Sequence, residues 1–190
     1  MKRLLTDLKL CSLGCLVLVL TSPALAWDTS GIDGYVDPGC LLDLADDHPE
    51  ITTVEVTIPK GLLRGVGLGF EENSDLQELV FGLEWVGAVV IETENPEIST
   101  VAAACMKETE SRLGKRGWER LARIREEGTN VNVMILNGGE EVRGVAVLIS
   151  EPGEGTFVMT NLAGLINLEL LGELSREMNV PGLDQIPEGK

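Results

Sequence analysis

The sequence predicts an α+β domain: a mixed, largely antiparallel sheet of about six strands with helices packed on one face. Three observations predict it. Apolar and polar residues alternate in "TVEVTI", apolar residues recur every three or four positions from Ile98 to Leu113, and four strand-like runs follow Gly117 across short glycine-containing links. The last pattern is that of an antiparallel meander.

Taken in chain order, residues 27–50 are rich in Asp, Gly and Pro and read as a loosely structured lead-in, with one short helical turn around Leu41 to Ala45. In "TVEVTI", Val54, Val56 and Ile58 alternate with Glu55 and Thr57, which predicts a strand with one buried face. Leu62, Leu63, Val66 and Phe70 then recur at helical spacing, in a helix weakened by Gly61, Gly65, Gly67 and Gly69. Ser74 is placed to cap a better helix with Leu76, Leu79, Val80 and Leu83 on one face. "WVGAVVIET" is apolar on both faces and so reads as a central strand.

Ile98, Val101, Ala102, Cys105, Met106, Thr109 and Leu113 mark the clearest amphipathic helix of the chain. Next come the four runs "WERLARIR", "NVNVMILN", "EVRGVAVLIS" and "GTFVMTNL", with Phe157 and Met159 on one face of the last. Leu168, Leu171, Leu174 and Met178 predict a final helix behind an Asn167 cap, stopped at Asn179 and Pro181. The domain thus runs from residue 51 to 181, and residues 182–190 form a polar tail.

The chain has 190 residues, 44% hydrophobic and 24% charged, which fits one globular core. Residues 1–26 are expected to lie outside it. Lys2, Arg3 and Lys9 form a basic head, "CSLGCLVLVL" is an apolar core, and Ala24-Leu25-Ala26 is a small-x-small site, so a secretory signal peptide cleaved between Ala26 and Trp27 is predicted. The apolar run from Leu10 to Leu20 is short for a membrane span, so no span is expected after cleavage.

Removal of Lys2, Arg3, Lys9 and Asp7 leaves 12 basic and 30 acidic side chains, a formal charge of −18. Such a field repels nucleic acid and anionic lipid, which argues against both as partners. Cleavage also removes Cys11 and Cys15 and leaves Cys40 and Cys105. In an oxidising compartment the pair is expected either to form a disulfide or to remain two separate buried thiols.

Chemistry is sparse. His48 is the only histidine, lying in the acidic stretch "ADDHPE", and no second His or Cys cluster completes a zinc site. Asp28, Ser30, Asp33 and Asp37 superficially follow a calcium loop, but Gly34 falls one place late, Ile32 occupies a ligand position and Gly39 replaces the bidentate Glu. The pairs Glu71/Glu72, Glu126/Glu127 and Glu140/Glu141 sit at turns, without the aromatic platforms a glycosidase needs. "EPGEG" leads into a strand rather than a helix and is followed by no Lys, so it turns a hairpin instead of cradling phosphate. No catalytic, cofactor-binding or metal-binding residue is assigned.

The stretch from "GWERLARIREEGTNVNVMILNGGEEVRGVAVLIS" through "EPGEGTFVMTNLAGLINLELLGELSREMNVP" resembles the secreted bacterial family called domain of unknown function 4252 (DUF4252). Its order of a Trp-started strand, a "VNVYV"-like strand, a "GLAIIVAEP"-like strand, "TVVNIVGPIDL" and a leucine-rich helix is followed here, with "LAGLIN" in place of "VGPID". "VEVTIPKGLLRGV" and "LVFGLEWVGAVVIET" match its first strand, helix and second strand, so the resemblance covers about residues 40–181. It implies an exported, periplasmic or extracellular envelope protein with no agreed activity. The expected function is non-catalytic binding of an envelope protein or surface component. A carboxylate-based hydrolase and a calcium-stabilised structural module are the alternatives.

Overall fold

The computed structural model describes residues 28–70, 74–139 and 141–167. The chain forms two compact units, Met1–Gly31 and Ile32–Lys190. The expected signal peptide with its Ala26/Trp27 junction, and the expected last helix with Leu168, Leu171, Leu174 and Met178, lie outside the described residues.

Six strands form one antiparallel sheet: β1 (Thr52–Pro59), β2 (Leu83–Glu92), β3 (Glu119–Glu126), β4 (Thr129–Asn137), β5 (Val142–Glu151) and β6 (Thr156–Ile166), in the spatial order β1-β2-β6-β5-β4-β3. The last four make the meander the sequence predicts. Its turns use glycine where the backbone turns left-handed: Glu127 and Gly128 (φ 42° and 94°) join β3 to β4, and Gly155 (φ 66°) closes the "EPGEG" hairpin, its carbonyl accepting from Thr93 N at 3.0 Å.

Helix α4 (Pro96–Lys115) carries the chain from β2 to the far edge at β3. Those strands stand four spacings apart, about 19 Å, and 20 helical residues reach about 30 Å, so the helix crosses the sheet with length to spare. Its start is well defined: Asn95 Oδ1 accepts from Glu97 N at 2.9 Å and Pro96 occupies the first turn. Asn95→Ala should therefore cost about 1 kcal/mol, read as a melting temperature about 2–4 °C lower. An unchanged melting temperature would show that the cap is energetically idle.

Strand alternation divides the apolar residues into two cores. Met134, Ala146, Leu148, Phe157, Met159, Val89 and Ile91 point to the face covered by α4 and by α1 (Gly39–Asp47), where they meet Leu41, Leu44, Ile98, Ala102, Met106 and Leu113. On the opposite face Val133, Ile135, Val145 and Ile166 pack with Leu63, Leu79 and Val80 of α2 (Lys60–Gly67) and α3 (Ser74–Gly82). Helices expected on one face are thus present on both, because the segment between β1 and β2 folds back under the sheet instead of over it.

Two further expectations meet a different outcome. Val54 and Val56, read as a buried face, are 51% and 43% exposed, because β1 is the sheet edge and only its Ile58 end reaches the core under α2 and α3. In the stretch 27–50, read as a loose lead-in with one helical turn around Leu41 to Ala45, that turn is part of the nine-residue α1, and Val36, Leu41 and Leu44 are buried. Cys40 of α1 and Cys105 of α4 are joined as a disulfide with Cα atoms 6.1 Å apart. Asn161, 2% exposed, holds the same segment from below: its Nδ2 donates to Gly34 O at 2.9 Å and Val145 O at 3.2 Å, and its Oδ1 accepts from Val36 N at 3.0 Å.

Candidate functional site

Helix α4 packs over β5 and β6, and a groove lies between it and the β3-β4-β5 part of the sheet. The groove encloses 710 Å³. Its apolar lining comes from Met106, Met134, Leu148 and Trp118, and its polar lining includes Lys107, Arg120, Arg123, Arg125, Asn130 and Asn132.

The three arginines share a face only because β3 is irregular. Arg120 stands opposite Met134, and the register then slips at Leu121, so that Ala122 meets Val133, Arg123 meets Asn132 and Arg125 meets Asn130. In an unbroken strand Arg120 and Arg123, an odd number apart, would point to opposite faces. A bulge re-aims the first of them into line with the others.

Among the described residues, four cationic side chains and one acidic one, Glu110, line the groove, a local charge of +3 in a chain whose net charge is −16. Glu110 pairs with Arg120. Lys107, Arg123 and Arg125 have no ion-pair partner among the described residues. Asn132 is 7% exposed, and its Oδ1 is buried with no hydrogen-bond partner. A buried acceptor left this way costs about 1–3 kcal/mol, so the groove carries an unmet demand for a donor beside its unpaired cations.

The residues singled out from sequence fall elsewhere. His48 Nδ1 lies 3.3 Å from Glu50 Oε1 in the turn after α1, half-buried. Asp37 Oδ1 accepts from Gly39 N at 2.9 Å, ahead of α1. In the first unit, of which residues 28–31 are described, Asp28 Oδ1 accepts from Ser30 Oγ at 2.6 Å and Ser30 N at 3.1 Å, and these bonds, the hydroxyl's foremost, hold its carboxyl below the usual range. No group of three or more His, Cys, Asp or Glu converges among the described residues. Glu126 and Glu127 lie exposed at the β3-β4 turn, Glu141 lies 3.8 Å from Arg143, and Glu71, Glu72 and Glu140 lie outside the described residues.

Sequence reasoning missed Arg120, Arg123, Arg125 and Asn132. "WERLARIR" shows three arginines within one strand, but the bulge that aligns them leaves no mark in the alternation. Asn130 and Asn132 alternate with Val131 and Val133 as residues of a solvent face would, although that face carries α4.

One family model matches the chain, that of the domain of unknown function DUF4252, over residues 46–174. No curated protein and no solved structure matches it. No helix among the described residues is long and apolar enough to cross a membrane.

Proposed function

The chain belongs to the DUF4252 family, and from that premise we propose that it is an exported, non-catalytic envelope domain that holds a protein partner in the groove between α4 and β3-β4-β5. The observation that carries this reading is the set of cations with no ion-pair partner among the described residues, Lys107, Arg123 and Arg125, gathered over an apolar floor in a strongly acidic chain. Charges of one sign kept together without counter-ions await a ligand of the other sign, or else only meet water. The buried, unsatisfied Asn132 in the same groove favours the ligand.

Hydrolysis by carboxylates fits less well, since such chemistry uses two acidic groups about 5–9.5 Å apart and among the described residues the groove lining offers only Glu110, already paired with Arg120. Export is supported by the basic head, apolar run and Ala-x-Ala order of residues 1–26. A bonded Cys40–Cys105 pair belongs to the same kind of compartment.

A photo-crosslinking side chain placed at Ser111, an exposed position on the α4 rim of the groove, tests the reading in living cells. It should trap a discrete partner that the same side chain at Val54, on the outer edge strand, does not. Equal products from both positions, or none from Ser111, would remove the groove from the account.

A further inference from the structure

We propose that the groove takes an extended acidic peptide segment of its partner, with alternate carboxylates paired to Arg123 and Arg125 and a main-chain N–H donated to Asn132 Oδ1. The proposal rests on reading the groove as a partner site and names what enters it. The spacing comes first. Residues two apart on a strand stand about 6.6–6.8 Å from one another, which is also the repeat of alternate side chains on an extended ligand. Arg123 and Arg125 therefore match acids at every second position.

The floor of the groove decides among anions. Met106, Met134, Leu148 and Trp118 are apolar and buried, and the two methionines can adapt to whatever packs on them. A strand-like peptide that alternates acidic with apolar side chains presents one row to the arginines and the other to this floor. An acidic polysaccharide or inorganic phosphate has no apolar row to present. The orphaned Asn132 Oδ1 needs a donor at the same place, and an extended peptide carries N–H groups along its length. Since Asn132 belongs to β4, one strand inside the sheet edge, the segment lies over the β3-β4 surface and not beside β3.

Net charge limits the length. A chain of net charge −16 repels polyanions, and screening at 0.1 M salt confines the attraction of the arginines to about 10 Å. A short segment with a few acids gains that attraction without meeting much of the surrounding acidic surface. A nucleic acid would meet all of it.

The test uses the mature, oxidised chain and a fluorescent, end-capped peptide of four Val-Glu repeats, with four Val-Gln repeats as control, read by anisotropy at neutral pH. The acidic peptide should bind saturably, and the Gln peptide about tenfold or more weaker. Arg123→Gln with Arg125→Gln should produce a loss of similar size, while Lys60→Gln, whose partner is Glu84 on β2, should change nothing. Asn132→Leu should weaken binding and yet raise the melting temperature by about 2–12 °C, because it removes a buried unpaired acceptor.

Absent binding, binding indifferent to the two arginines, or competition by phosphate or an oligouronate as strong as by the peptide would each overturn the proposal. So would an Asn132→Leu variant that melts lower and binds normally. If the peptide fails while Ser111 still traps a partner, this inference falls and the groove reading stands.

Discussion

Reducing the Cys40–Cys105 disulfide in a chain of residues 27–190 should lower its stability by about 4 kcal/mol, the cross-link entropy expected when the bonded residues are 65 apart in sequence. For a chain of this size that corresponds to a melting temperature about 8–16 °C lower. The effect is large because the whole stability of a domain is commonly about 5–15 kcal/mol. The bond ties α1 to the middle of α4 and closes a loop that contains β1, α2, α3 and β2. Thermal melts with and without dithiothreitol, alongside the Cys40→Ala/Cys105→Ala variant, measure it. A shift under about 2 °C in both would show that the packing of Leu41 and Leu44 holds α1 unaided.

Asn161→Leu should cost about 3–5 kcal/mol. The side chain lies beneath the crossing of residues 34–36, and its replacement removes an acceptor from Val36 N and a donor from Gly34 O. Both belong to an irregular segment without ladder partners, and each buried group left unpaired costs about 1–3 kcal/mol. Water cannot readily enter to repair the loss. Gly34, with φ 85°, has no room even for a Cβ against the Arg143 carbonyl, and the Gly144 Cα also lies within 3 Å of that position. Denaturant unfolding gives the magnitude, and hydrogen exchange gives the location: the Val36 amide should lose its protection. A variant that keeps that protection and unfolds at the parent midpoint would mean that Asn161 is not the clamp. Because Asn161 and the disulfide hold neighbouring parts of one segment, combining their loss should cost less than the two separately.

The contrast between what was legible and what was not follows from the range of each interaction. The course of α4 could be read from Ile98 to Leu113 because a helix against a sheet imposes its own three-and-four spacing on the chain. The meander could be read because Gly128, Gly139 and Gly155 stand where short hairpins need left-handed backbone. The buried face predicted for β1 failed because Val54 and Val56 alternate as core residues do, while the edge position that exposes them depends on where β6 inserts, more than sixty residues later.

Asn161 carries no local signal either. In "TFVMTNLAG" it is one polar residue among many, and only the return of residues 34–36 across β5 and β6 makes it a clamp. The candidate site was hidden for a related reason. A single extra residue at Leu121 turns Arg120 into line with Arg123 and Arg125, and the cover over Asn132 comes from a helix that begins at Pro96. Charge totals alone point away from anionic partners, since a local charge of +3 disappears within a net charge of −16.

The most direct test of a partner groove beneath α4 is residue-resolved. Amide and arginine side-chain NMR signals of the labelled chain of residues 27–190, titrated with the Val-Glu peptide, should shift at Lys107, Arg123, Arg125 and Asn132 and remain still at Val54, Leu62 and Val66 on β1 and α2. Shifts concentrated on β1 and α2, with the arginine signals unmoved, would contradict the assignment and transfer the binding surface to the other side of the sheet.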